Sequence, residues 1–267
     1  MELVGLYKRV VGLDIHQAQI TACALIEEAD GSTRIEQRQF GGFKRDRREL
    51  ADWVASLQPD EVVMESTGIY WKSPYAALEV AGIRAKVVNA RHVKNVPGRK
   101  TDVGDAHWLA MLARAGLLRA SFVPPAKLRE LRLIARQRQK LVGQLASEKN
   151  RLHKVLTDSG VRLGVVVSDL HGKSARAMVK AIIAGELPSE VLRHASARLK
   201  ASREEIYDAL QGDLTASHLF VLDELMHHIE EIEARIARFD ARLLAGLVSE
   251  RNALALLQTI PGVDSRP

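Results

Sequence analysis

Cysteine is nearly absent: Cys23 is the single one in 267 residues. An internal disulfide is therefore excluded, and the lone thiol fits a reducing compartment and a buried, inert position. Aromatic residues are scarce as well, at 4% of the chain, so recognition by stacked rings has little to work with and charge has to carry more of it. No apolar run reaches the roughly 18 residues that a bilayer span requires, and the first residues lack a signal-peptide pattern. The chain reads as cytoplasmic, with no membrane partner. It also contains no internal repeat and no low-complexity tract.

An apolar content of 46% is enough for a real core, and the length suits one large domain or two ordinary ones. Lys and Arg number 39 against 33 Asp and Glu, a net charge of +6 that favours a polyanionic partner. The charge is unevenly spread. Between Lys127 and Arg176 there are 12 basic and 4 acidic residues, a net of +8 that exceeds the total for the whole chain. Arg84 to Lys100 holds six basic residues and no acid.

Short β-rich runs alternate with helical patterns over the first 120 or so residues. RVVGLDI and QITACALI are close enough to pair as a hairpin, and STRIEQRQF alternates like an exposed strand. A helix is expected from Lys44 to Leu57, then a strand in DEVVMES stopped near Gly68, a helix in SPYAALEVAG closed by Gly82, and a strand in IRAKVVNA. Strands joined by crossover helices, with an antiparallel hairpin on one side, imply a mixed central sheet. This is an α/β layout of the ribonuclease-H-like kind. Beyond Pro124-Pro125 the strand signals nearly vanish. Leu131, Ile134, Leu141, Leu145, Leu152 and Val155 make a helical stripe, and Leu222, Leu225, Ile229, Ile232, Ile236, Phe239 and Leu243 follow a heptad. The two long helices could pack antiparallel within one chain or pair with a second chain. The segment between them reads as short helices with Gly and Pro breaks.

Four carboxylates stand out. Asp14 ends the first strand and Glu65 ends the central one, and in a sheet of this topology those ends share an edge. Asp102 and Asp105, in GRKTDVGDAHWLAML, are expected to open a helix, where their spacing puts both on one face. Four acids at one rim repel one another unless cations sit among them, and oxygen ligands suit Mg²⁺ or Mn²⁺. Two such ions would stabilise the attacking and leaving oxygens of a phosphodiester cleavage. Each acid also has a plainer explanation: Asp102 as a helix N-cap with Asp105 as its capping-box partner, Asp14 closing a turn with His16, Glu65 as another cap. The order of all four favours the metal reading. Arg91, Lys94, Arg99 and Lys100 would then draw phosphate toward the cluster.

The stretches VVGLDIHQAQITACAL, VVMESTGIYW, GRKTDVGDAHWLAMLARAGLLRASFVPP, LRELRLIARQRQKLVGQLASEKNRLHKVL and LLQTIPGV together resemble the DEDD-type insertion-sequence transposases of the IS one-ten family. The most specific fragment is K-T-D-x-x-D-A-x-x-L-A. The resemblance implies a RuvC-like catalytic domain over 1–123, a helical coiled-coil region over 124–250, and in 251–267 the start of a second domain that opens like a helix-hairpin-helix. It makes Asp14, Glu65, Asp102 and Asp105 both catalytic and metal-binding, with Mg²⁺ as cofactor and Mn²⁺ as a substitute. In the family a serine nucleophile lies beyond the P-G turn, in an S-G or S-A-G context. Ser265 lacks that context, so no nucleophile is assigned in this chain, which reads as ending before that domain.

What the resemblance implies about partners is DNA at the element's ends and target, a structured guide RNA, and a homo-oligomer, dimer or tetramer. Arg129, Arg132, Arg136, Arg138 and Lys140 are the candidates for nucleic-acid contact on the first long helix, unless they are only its solvated face. The function expected is metal-dependent DNA cleavage and strand exchange in transposition. Two other readings stay open: a RuvC-like junction-resolving nuclease, and a nucleic-acid-binding fragment without catalysis. An actin-like ATPase is disfavoured because the D-x-G turn and a later Gly-rich phosphate loop are missing.

Overall fold

Alternation in RVVGLDI sends Val11, Leu13 and Ile15 to one side of a strand and Val10, Gly12 and Asp14 to the other. The computed structural model describes residues 5–65, 68–94 and 104–262 and shows what each side meets. Strands β1 (Arg9–Ile15), β2 (Gln19–Glu27) and β3 (Thr33–Gly41) form an antiparallel meander, followed by helix α1 (Lys44–Leu57), strand β4 (Glu61–Glu65), helix α2 (Lys72–Val80) and strand β5 (Ala85–Val88). Helices α3 (Ala90–Lys94) and α4 (Asp105–Arg114) complete this part. The sheet order is β3-β2-β1-β4-β5, with β1, β4 and β5 parallel. A three-stranded antiparallel half joined to parallel, helix-linked strands is the RNase-H-like, RuvC-like architecture.

One sheet face, carrying Val11, Leu13, Ile15, Val62 and Met64, packs on Leu50, Trp53 and Val54 of α1 and Leu78 of α2. The opposite face presents Val10, Val63 and Val88 to Val93 of α3 and to Trp108, Leu109 and Leu112 of α4. Cys23 lies beside Ala106 and Ala110 of α4, and burial pushes its thiol up to about 11. It is protonated and inert at neutral pH.

The chain divides after Ala126 into two compact units. The second is helical: α5 (Ala126–Asp158), α6 (Leu163–Val166), α7 (Lys173–Ile183), α8 (Pro188–Val191), α9 (Arg203–Ala209), α10 (Ala216–Gly246) and α11 (Arg251–Gln258). Arg138 reaches Asp240 at 2.6 Å and Lys149 reaches Glu233 at 3.3 Å, while a Cβ on Gly246 would strike Leu131. Rising numbers on α5 thus meet falling numbers on α10, so the two long helices run antiparallel within one chain. Between them the short helices close a core in which Leu152, Leu156, Met178, Ile206, Leu222 and Ile229 are fully buried. Leu152→Ala is expected to cost about 2–5 kcal/mol of unfolding free energy, read from urea denaturation.

A polar seam joins α5, α7 and α10. Arg176 donates two hydrogen bonds of 2.8 Å to Glu233, and Lys180 pairs with Glu230 at 2.6 Å. The Arg176 guanidinium holds the Glu233 carboxyl below its ordinary value of 4.5. A depressed carboxylate stabilises the fold above the unfolded value, and that contribution is lost as pH falls through the folded one. Melting temperature should therefore drop on acidification below about pH 4.5, and Glu233→Gln should remove part of that dependence while lowering stability at neutral pH.

Among the described residues no helix is long and apolar enough to cross a membrane.

Candidate active site at the sheet edge

β1 and β4 are paired in parallel with Leu13 opposite Met64, so the next residue of each, Asp14 and Glu65, closes the same sheet edge. Glu65 is in turn opposite Val88 of β5, and α3 begins just beyond. Parity puts Asp14 on the same face as Val10 and Gly12, and Glu65 on the same face as Val63. That is the face covered by α4, whose first residue is Asp105.

Gly12 is what brings α4 this close. A Cβ there would lie 2.2 Å from the Ala106 carbonyl oxygen and 2.6 Å from the Ala110 nitrogen, so the helix backbone rests directly on the strand. The far end of α4 is fastened separately. Arg114 bonds Glu27 at 3.1 Å and Thr33 at 2.6 Å, and its carbonyl accepts from Leu6 at 2.7 Å. A residue at the start of α4 is thus held at a fixed distance from the end of β1.

Electrostatics show that these acids feel one another. Burial pushes the Asp14 carboxyl above its ordinary value of 3.8; the charges of Asp105 and Glu65 push the same way, and His16 opposes them. His16 Nε2 lies 3.2 Å from Asp14 Oδ2, and the turn that carries it is closed by the His16 amide donating to the Gln19 carbonyl at 2.9 Å. The plainer view of Asp14 as a turn-closing partner of His16 is therefore also satisfied, by the same side chain. Among the described residues no group of three His, Cys, Asp or Glu side chains stands ready to hold an ion. Asp102, the fourth acid, lies outside the described residues. α4 starts at Asp105, and its N-cap is Gly104, in extended conformation and with no side-chain cap; the expected pairing of Asp102 with Asp105 involves a residue outside the description.

Of the basic residues expected beside the acids, Arg91 is exposed on α3, anchored by its amide donating to Asn89 Oδ1 at 2.9 Å. Lys94 is the last residue of α3, with its side chain outside the description, and Arg99 and Lys100 lie outside the described residues altogether. On α5, Arg132, Arg136 and Lys140 are exposed and follow one another at i, i+4, i+8 along one side. Arg129 is half-buried. Arg138 has a different duty, because Asp240 takes its guanidinium through bonds of 2.6 and 3.4 Å.

Two contributors escaped the reading of motifs. Gly12 sits in mid-strand, where a glycine signals a close approach of another backbone, and that signal was available in the G-L-D triplet. Arg114 acts through partners 81 and 87 positions away, which no local pattern reveals.

The family model of the DEDD transposases of IS110 type, described as transposase, matches residues 11–160. That span contains Asp14, Glu65, Asp102 and Asp105. No curated protein matches the chain. Among solved structures the chain is similar to RuvC of Thermus thermophilus, at 13% identity over 42% of this chain and 99% of that one, with a TM-score of 0.31. The same protein in complex with a Holliday junction substrate gives 13% identity, the same coverage and a TM-score of 0.32. A Fowlpox virus resolvase in complex with Holliday junction DNA matches at 12% identity over 40% of this chain and 99% of that one, with a TM-score of 0.30.

Proposed function

Because the chain belongs to the DEDD transposases of IS110 type, we propose that it cleaves DNA phosphodiesters at the sheet edge, with Asp14, Glu65, Asp102 and Asp105 holding one or two Mg²⁺ ions. The observation that carries this reading is the geometry of the edge: Asp14 and Glu65 end adjacent parallel strands on the face covered by α4, which begins at Asp105. Like charges gathered in a partly buried place are costly until a cation joins them, and a donor set made only of carboxylate oxygens is what hard divalent ions accept. Mn²⁺ would serve as well.

Bound there, the metal supplies Lewis-acid polarisation of the scissile phosphoryl group. The chain supplies the rest. Gly12 and Arg114 fix α4 against the sheet, so Asp105 keeps its distance from Asp14 and Glu65. His16 steadies the Asp14 carboxylate from the solvent side. Arg91 and Lys94 on α3, with Arg99 and Lys100 following in sequence, draw the phosphate backbone to the edge. Arg132, Arg136 and Lys140 offer a second row of cations, suited to duplex DNA or to a structured guide RNA read by shape. Two duplexes to be joined need two sites, hence a homo-oligomer, with DNA element ends and target as substrates.

The test is cleavage of end-labelled linear and four-way-branched DNA by the 267-residue chain, with Mg²⁺, with Mn²⁺ and with EDTA. Metal-dependent nicking is expected. Symmetrical cuts confined to branched DNA would favour a junction-resolving nuclease over a transposase. Absence of both cutting and Mn²⁺ binding would overturn the proposal.

A further inference from the structure

The cations of the helical unit differ in their surroundings. Those along the polar seam are neutralised inside the fold: Arg138 by Asp240, Lys149 and Arg176 by Glu233, Lys180 by Glu230. A cluster of another kind lies in VLRHASARLKASR, residues 191–203, which contains Arg193, Arg198, Lys200 and Arg203 and no acid. All four side chains are exposed. Among the described residues none of them has an ion-pair partner.

This stretch is also built, although little of it is helical. Val191 is buried, and Leu192, Ala195, Leu199 and Ala201 pack against the helical core. Ser174 Oγ of α7 donates to the His194 carbonyl at 2.7 Å and accepts from the Ser196 amide at 2.8 Å. The Ser196 side chain accepts from the Arg198 amide at 3.2 Å, and its carbonyl accepts from the Leu199 amide at 3.1 Å. Apolar anchors therefore alternate with outward cations, so the charges are presented on a fixed backbone. Two of the flanking carboxylates are occupied by caps: Glu190 accepts from the Leu187 amide at 3.2 Å and Glu205 from the Ser202 amide at 2.7 Å. Glu204 is the remaining adjoining acid, and His194 lies 3.7 Å from Glu186.

We propose that residues 191–203 form a further nucleic-acid contact, a docking surface for the phosphodiester backbone of duplex DNA, distinct from the row on α5. Unpaired cations on an anchored loop are free to neutralise a polyanion, and the stretch has no Phe, Trp or Tyr for base stacking. The contact is therefore expected to be insensitive to sequence and steeply dependent on salt. It rests on the reading above that the chain acts on nucleic acid.

The experiment measures binding of the full 267-residue chain to a duplex DNA and to a duplex RNA of the same sequence, across a salt series. With Arg193, Arg198, Lys200 and Arg203 all changed to Gln, affinity is expected to fall at least about tenfold, and the log–log salt slope to become shallower by about 3. Loss with DNA, alone or together with RNA, supports the surface, whereas loss with RNA alone overturns its assignment to DNA. Arg193→Lys, Arg198→Lys and Arg203→Lys together keep the charge and should keep the slope. If wild-type protein binds either duplex and the four-Gln variant binds it with the same slope, this surface is wrong while the nucleic-acid reading survives. If wild-type protein binds neither duplex, both fall.

Discussion

Asp14→Asn is expected to lower metal-dependent DNA cleavage by about 10³-fold or more, the scale on which a group that stabilises transition-state charge is lost, while raising the melting temperature of the cation-free protein. The two effects share one cause. In the fold the Asp14 carboxyl titrates above its ordinary 3.8, because burial, Asp105 and Glu65 all oppose its charge. A group with a raised folded value contributes stability that is complete below the unfolded value and lost as pH rises through the folded one. At neutral pH the wild-type chain thus carries a penalty that asparagine removes, and each kcal/mol recovered corresponds to about 2–4 °C in a chain of this size. Divalent cation should reverse the order: Mg²⁺ or Mn²⁺ should raise the wild-type melting temperature and leave Asp14→Asn nearly unmoved. Thermal melts with and without Mn²⁺, run beside the cleavage assay, check both halves. A variant that is less stable than wild type without cation, and that cuts normally with it, would remove Asp14 from the site.

Gly12→Val is expected to damage activity and stability together, which separates positioning from chemistry. Even the first added carbon would lie 2.2 Å from the Ala106 carbonyl and 2.6 Å from the Ala110 amide. Both are backbone atoms of α4, so no side chain can swing aside, and the whole helix must lift. Overpacking of this kind costs about 1–3 kcal/mol, and more where backbone is displaced. Lifting α4 also carries Asp105 away from Asp14, and a misplacement of about 1 Å can cost on the order of 10²-fold in rate. Gly12→Ala should show the same signs at smaller amplitude. Unchanged melting temperature and unchanged cleavage in Gly12→Val would mean that the contact does not position the acids.

Much of this was legible in the chain because it depends on local period. Alternation in RVVGLDI and QITACALI, the Gly82 stop and the 14 residues of α1 all appear where the pattern places them. Elements that rest on distant partners were not legible. α3 has five residues and one buried anchor, Val93, which is too short for a period to register. The start of α10 was hidden because His218, not a Glu or Gln, occupies the third position of its capping box and accepts from the Thr215 amide at 3.1 Å. Arg138 looked like one more cation on a basic helix, since Asp240 stands 102 positions away. Of the acids, the strand-end pair followed from topology, whereas the helix start at Asp105 depended on Gly104, a cap without a side chain to announce it.

The strand order also dictates when a growing chain could first assemble this edge. The β1–β2–β3 meander needs only residues 9–41, joined by tight turns, and such local pairings close within microseconds. The β1–β4 pairing is of a different kind: Val10 must find Glu61, and α4 must then lie down on Gly12 from farther along still. Contacts of long sequence separation form late, because the entropy of closing the loop comes due before the contact exists. Asp14 leaves the ribosome early, on a hairpin that folds at once, yet the carboxylates that complete its surroundings arrive only when the chain has emerged through Arg114. A half-made molecule thus has the meander but not the edge at which Asp14, Glu65 and Asp105 come together.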